Sequence, residues 1–319
     1  MSAPRRRRST IPALVGVAAP VGPGLEQTFA QIERTLRDAR AVGAGLVVFP
    51  ECMLGGYPIE GVDGGRTAPT PPALHLDGPE IARLSRLAAG MTVCAGFTED
   101  GPGGPYNSAV CVSGDGVLGH YRKVHLPPSE RFAYRAGDRF GAFDTPVGRV
   151  GMLICYDKLF PEAARILADD GAQIIAAMSA WPVSRLRPAR RLARDHQTLH
   201  FDLLDRTRAI ENQVVWVSSN QSGHSGGLRF LGHAKVVDPD GRVLASTRGG
   251  RAGLATARID PAEATAATRA ALCHLDDRRG ASYLLRPATE RDTMTLDRPM
   301  SMASMSMAPD RVMSMVPTT

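Results

Sequence analysis

Short apolar runs of strand length alternate with amphipathic helical stretches through most of this 319-residue chain. That rhythm confines the fold to strands covered by helices. Residues 13–18, 45–49, 91–97, 108–112, 116–121, 150–154, 173–178, 214–218, 234–237, 243–245 and 254–258 read as strands, and residues 25–41, 79–89, 159–169, 188–211 and 261–272 as helices. Gly114-Asp115-Gly116 and Asp240-Gly241 mark tight turns between neighbouring strands, so hairpins interrupt the parallel crossovers and the sheet is mixed. The expectation is one α/β domain over residues 11–285, without internal repeats. It is flanked by a basic leader (residues 1–10) and a Met/Ser-rich tail (residues 286–319). Residues 294–319 hold seven of the twelve methionines, irregularly spaced among serine and proline, a composition expected to be disordered.

Charge excludes less than it first suggests. The formal balance is +6, but Arg5 to Arg8 supply four of those charges, which leaves an ordinary surface at +2. No basic stripe with interleaved aromatics is present, so nucleic acid is not an expected partner. Cys52, Cys94, Cys111, Cys155 and Cys273 are an odd, scattered set without C-x-x-C spacing, which argues against a disulfide framework and for a reducing compartment. The arginines at the start are not followed by the long apolar stretch of a secretory signal, and no run approaches a membrane span. A cytoplasmic protein is expected. Only three of the 38 basic residues are lysine: Lys123, Lys158 and Lys235. A lysine surviving such a bias suggests a role that needs a compact ammonium, although Lys235 reads as chance.

Three segments carry chemistry. Phe49-Pro50-Glu51 ends an apolar strand on a carboxylate, delivered at the strand's C-terminal edge where a general base is useful. Tyr121-Arg122-Lys123-Val124-His125-Leu126-Pro127 ends another, and alternation sends Arg122 and Lys123 to opposite faces. An inward ammonium there could stabilise an oxyanion. Cys155 follows the apolar run 150–154 where strand gives way to helix. Free N–H groups of a helix start would lower the thiolate's pKa and cradle an oxyanion. Each group comes from the end of a different strand, as open α/β sites usually require.

Taken together, Glu51 in F-P-E, Lys123 in Y-R-K-V-H-L-P and Cys155 in I-C-Y-D-K-L-F-P-E resemble the Glu-Lys-Cys triad of the nitrilase superfamily, the carbon–nitrogen hydrolases. The resemblance runs from about Ile11 to Tyr283. It takes in Asp205-Arg206-Thr207-Arg208-Ala209-Ile210-Glu211-Asn212-Gln213 before a strand, and Leu275-Asp276-Asp277-Arg278-Arg279. It implies a four-layer α-β-β-α sandwich with two mixed β-sheets. It also implies hydrolysis without cofactor or metal, and a homodimer or larger homo-oligomer formed through the face bearing the helix after Cys155. Glu130 is similar to the family's second glutamate, which orients substrate. Cys155 is implied as the nucleophile, Glu51 as the base, and Lys123 with the Tyr156 N–H as the oxyanion's partners.

Within that family Cys155-Tyr156-Asp157 stands where nitrilases carry C-W-E, and with Phe160-Pro161-Glu162 after it resembles the amidase and carbamoylase branches. The paired arginines of D-amino-acid carbamoylases are replaced by Lys158 and Leu159, although Lys158 could still meet a substrate carboxylate as a point charge. A small carboxamide is the expected substrate. An N-carbamoyl amine or amino acid, a nitrile, or a catalytically silent subunit are the alternatives. Two motifs mislead. Gly223-His224-Ser225-Gly226-Gly227 matches G-x-S-x-G without the strand–serine–helix context, and His196 and His200 lack the glutamate and third ligand of a zinc site. Residues 67–72 and 181–188 are expected to border the substrate pocket.

Overall fold

The computed structural model describes residues 11–58, 71–247 and 249–283. The expected leader, the tail, and residues 67–70 of the first pocket loop lie outside them. The chain divides into Met1–Asp277 and Arg278–Thr319. Within the second unit the described part is one short 3₁₀ turn, Gly280–Ser282. The late segment 275–279 lies across that division.

The first unit contains, in order, β1 (Ala13–Ala19), α1 (Leu25–Ala41), β2 (Ala44–Val48), α2 (Pro79–Ala88), β3 (Thr92–Gly101), β4 (Gly104–Ser113), β5 (Gly116–Arg122), β6 (Ala142–Thr145) and β7 (Gly148–Ile154). Then come α3 (Pro161–Asp169), β8 (Ile174–Ser179), α4 (His196–Asn212), β9 (Val215–Ser225), β10 (Leu228–Leu231), β11 (Lys235–Val237), β12 (Val243–Ser246), β13 (Gly253–Arg258) and α5 (Pro261–Ala271). The path β5-β4-β3-β2-β1-β9-β8-β7-β6 is continuous. β1, β2 and β3 run parallel, as do β7, β8 and β9, with antiparallel hairpins at the outer ends. The α/β class and the mixed sheet are as expected. Two separate sheets are not what the hydrogen bonds draw, because the halves join at one seam, Ala18↔Asn220 and Ala19↔Gln221 of β1 and β9.

Strict alternation of side chains builds three apolar layers. Val15, Val17, Val47, Val93 and Val110 face Phe29, Ile32 and Leu36 of α1 and Ile81 and Leu84 of α2. Their sequence neighbours Leu14, Leu46, Val48, Cys94 and Cys111 face the other way and meet Val150, Met152, Ile154, Ile174, Ala176 and Val217 from the second half. The remaining face of that half, Leu153, Ile175, Ala177 and Trp216, packs under Ala163, Ala164 and Leu167 of α3 and Ala209 of α4. At the far ends β5 and β6 come together: a Cβ on Gly119 would sit 2.4 Å from the Phe143 ring, so a larger residue would have to displace that ring.

Two element boundaries differ from expectation for clear local reasons. α3 begins at Pro161, whose fixed φ suits the first helical position, and residues Cys155–Leu159 form a separate 3₁₀ turn. α4 begins eight residues later than its arginine-rich approach suggests, because Asp195 caps it by accepting from Gln197 N. The G-x-S-x-G match sits at the tip of the β9–β10 hairpin, strand on both sides, and forms no nucleophile elbow.

Candidate active site

The parallel strands aim their C-terminal ends at one edge of the sheet. β5 shares that direction because two antiparallel steps separate it from β3. Glu51 therefore follows β2, Lys123 follows β5 and Cys155 follows β7, all at the same edge.

Glu51 is carried by a turn that leaves β2 and leans on β3. Gly96 N donates to Pro50 O at 3.2 Å, and Leu54 N donates to Gly96 O at 3.0 Å. A Cβ on Gly96 would lie 2.4 Å from Cys52 N and 2.7 Å from Glu51 Cα, so glycine is what allows the turn to sit so close. Cys52, the next residue, adopts a left-handed φ of 48°.

Three charged side chains meet there with no solvent exposure: Glu51, Lys123 and Glu130. Lys123 Nζ lies 2.6 Å from Glu51 Oε1 and 2.6 Å from Glu130 Oε1. Ala180 N, from just after β8, donates to Glu51 Oε2 at 2.6 Å. Asn107 Nδ2 donates to Glu51 Oε1 at 2.7 Å and to Glu130 Oε2 at 3.1 Å, and Tyr57 Oη donates to Glu130 Oε1 at 2.5 Å. Burial alone would push the Lys123 ammonium's pKa down, but the charges of Glu130 and Glu51 overcome it and hold the pKa well above its ordinary value. Burial pushes Glu130 up despite Lys123, with the neighbouring Glu51 charge adding to the rise. Arg122, as alternation requires, turns the other way and pairs with Glu99 at 2.6 Å.

Cys155 is only 9% exposed and has a left-handed φ of 49°, a strained conformation for a side chain with a Cβ. The turn that holds it is fastened from two sides. Asp157 Oδ2 accepts from Ile154 N at 3.1 Å and from Tyr121 Oη at 2.6 Å; its Oδ1 accepts from His125 N at 2.9 Å. The Lys123 strand end and the Cys155 turn are thereby tied to each other. From α4, Arg208 Nε donates to Lys158 O at 2.9 Å. The Cys155 thiol is pushed well above the ordinary cysteine range, first by burial and then by the Glu51 charge, which the Lys123 and Lys158 ammoniums only partly offset. This reverses the sequence expectation of a lowered thiolate pKa. The 3₁₀ turn supplies no long helix dipole, and the neighbouring carboxylates outweigh the ammoniums.

Lys158 is corrected in role. Its ammonium is buried, 2.7 Å from Asp205 Oδ1, and 3.6 Å from the centre of the Phe201 ring. It is committed to the interior and does not line the cleft. Burial lowers its pKa, with the Asp205 charge opposing and the Lys235 charge adding to the drop. Lys235 is not a chance lysine: its Nζ reaches Asp205 Oδ2 at 2.8 Å, and all three lysines are fully buried. Trp216 Nε1 donates to the same Asp205 at 2.9 Å.

An open cleft of about 980 Å³ reaches Cys155 and Tyr156; Tyr57, Pro127, Leu159, Trp181, Val183 and Leu228 give it an apolar wall. The expected border 181–188 lines it through Arg187. His196 and His200 stand at its rim, 5.5 Å apart between ring centres. No cluster among the described residues has the make-up of a metal site, and none of their helices is long and apolar enough to cross a membrane.

The sequence reading gives no role in the site to Asn107, Tyr57 or Asp205, and uses Asp157 only to separate branches of the family. Asp157 and Asp205 lay inside segments already singled out, so an acid repeated within a motif was the signal available. Asn107 sits inside a strand with nothing to mark it.

A family model described as carbon-nitrogen hydrolase matches residues 13–269. A probable nitrilase of Schizosaccharomyces pombe is 31% identical over 221 residues, 67% of this chain and 75% of that protein. An (R)-stereoselective amidase of a Pseudomonas species is 37% identical over 217 residues, 67% of this chain and 73% of that protein. The crystal structure of a carbon-nitrogen hydrolase from Helicobacter pylori G27 superposes with a TM-score of 0.72 at 26% identity, covering 85% of this chain and 96% of that one.

Proposed function

The chain belongs to the carbon–nitrogen hydrolase family, and from that premise we propose that it is a cysteine-dependent amidase converting a small carboxamide to a carboxylic acid and ammonia. One observation carries the reading: a buried ammonium, 2.6 Å from each of two carboxylates, beside a cysteine that opens on the cleft.

The raised thiol pKa makes Cys155 a neutral thiol at rest, so attack needs a base. Glu51 takes the proton as the sulfur bonds to the amide carbon. Of the three N–H bonds of Lys123, two serve Glu51 and Glu130. The third is left for the developing oxyanion, with the Tyr156 N–H as its second donor. Glu51 returns the proton to nitrogen, the C–N bond breaks, and ammonia leaves a thioester. Water then gives a proton to Glu51 and adds to the thioester carbon. The C–S bond breaks, and the proton returns to sulfur. Glu130, held by Tyr57 and Asn107, keeps Lys123 in place. No step calls for a cofactor.

The amide reading over a nitrile is supported by Tyr156-Asp157 after the cysteine, where nitrilases carry W-E, and by the amidase relative. A four-layer α-β-β-α sandwich is supported by the three alternating apolar layers. Assembly into a homodimer or larger oligomer through the α3–α4 face is supported by Leu199, Leu203 and Ile210, a stripe of exposed apolar residues on α4. A cytoplasmic setting is supported by five free cysteines. The test is ammonia release from aliphatic amides, ω-amides, nitriles and N-carbamoyl compounds. Amides should be turned over, and Cys155→Ala should abolish it. Full activity in that variant, or turnover of nitriles alone, would sink the reading.

A further inference from the structure

We infer that the preferred amide carries a carboxylate at its far end, received by Arg185 and Arg187 at the rim of the cleft. This rests on the amidase reading and adds the substrate's chemical class to it.

Among the described residues the cleft wall contains Arg185, Arg187, His196 and His200 and no carboxylate. The two arginines belong to a local surplus: Arg185, Arg187, Arg190, Arg191 and Arg194 fall within ten residues, all exposed, and no acid stands among them. The next residue, Asp195, is 1% exposed, and its carboxylate is turned inward. It accepts from Ser184 N at 3.2 Å, Ala189 N at 3.0 Å and Gln197 N at 3.0 Å. That acid pins the base of the loop to the start of α4 and leaves the guanidiniums facing the cleft without a counter-charge from their own segment. The side chains of Arg185 and Arg187 form no ion pair among the described residues. Guanidinium is the cation best matched to a carboxylate, and a cleft lined by one sign of charge concentrates ligands of the other.

The cleft wall offers three kinds of surface: Cys155 and Tyr156 at the reacting group, apolar Trp181, Val183 and Leu228, and the arginines Arg185 and Arg187. An amide, a short apolar chain and a terminal carboxylate are the three groups that such a wall suits. Lys158, the cation first expected to meet such a group, is buried against Asp205 and unavailable, so the recognition falls to the loop.

The monoamides of straight-chain dicarboxylic acids, from succinic to suberic, are to be compared in steady state with n-alkyl amides of matching length. At least one charged monoamide should exceed its neutral partner by about tenfold in kcat/KM, chiefly through KM, and the ratio should shrink as salt screens the exposed guanidiniums. In R185Q/R187Q the ratio should fall toward unity. Arg37→Gln, which removes one charge from the distant α1, should leave it unchanged. Single variants serve if the double one does not fold. Equal rates for the two series, or a preference that survives the double variant, overturns the inference. If neither series releases ammonia, the amidase reading fails instead. Calorimetry on Cys155→Ala with glutaramate and pentanamide then decides the inference alone. Tighter binding of glutaramate that disappears with both arginines upholds it, and equal or absent binding overturns it.

Discussion

At the scale of single residues, the site depends on a side chain that does no chemistry. Asn107 turns its oxygen toward Cys52 Sγ, 3.6 Å away, which fixes its amide nitrogen toward both carboxylates. Asn107→Leu removes a donor from two buried acids at once, at a cost of about 1–3 kcal/mol per acceptor left short. It should lower kcat by about a hundredfold through a misplaced Glu51 and Lys123, with a lower Tm by calorimetry. An unchanged kcat would show that Lys123, Ala180 N and Tyr57 hold the two carboxylates without it. Glu51, Lys123 and Cys155 were legible because each is a polar residue at the tip of an apolar strand run. Asn107 was not, because a polar residue within a strand usually faces solvent, and only the fold reveals that this one faces two acids. The thiol's titration was misread for a related reason. Sequence shows the turn and its acidic neighbours but not the burial of the sulfur, which is the first cause of the rise.

Among elements, the β3–β5 meander has its own electrostatic fastening. Glu99 on β3 accepts from Ser108 Oγ on β4 at 2.6 Å, and meets His120 Nε2 at 2.7 Å and Arg122 Nη2 at 2.6 Å, both on β5. Burial would raise this carboxyl, but the bonds from His120, Arg122 and Ser108 win and lower it from 4.5 to about 2. The folded-state pKa is depressed, so the stabilisation is complete above the ordinary value of 4.5 and is lost as pH falls through about 2. Its upper limit is on the order of 3 kcal/mol. Glu99→Gln should therefore flatten the acid limb of a urea-midpoint profile across that window. A wild-type slope retained in the variant would assign acid sensitivity to other groups. Hairpins such as β4–β5 and β11–β12 were readable from their Gly-Asp turns, whereas β6 and β10, four residues each, are too short to show a period. The arginine-rich approach to α4 has good helical propensity, but the buried Asp195 cap determines where the helix starts.

The whole molecule raises the matter of assembly. Leu199, Leu203 and Ile210 are 55%, 65% and 41% exposed on one helix, more apolar surface than an isolated chain gains from showing to water. Leu203→Glu should shift the protein toward monomers in sedimentation velocity. Wild-type protein that sediments as a monomer would remove the need for a partner on that face. The alternation of strands and helices announced the layers, since side-chain period alone sorts Val15 from Leu14 and Ile175 from Ala176. The single seam between halves was not legible, because two matched pairs between distant strands leave no local mark. That seam has a consequence for how the enzyme comes alive. Glu51 and Lys123 grow from one half, Cys155 from the other, and Ala180 reaches across to Glu51. Neither half alone brings these side chains together, so a chain still emerging from synthesis would lack the site until its later strands dock.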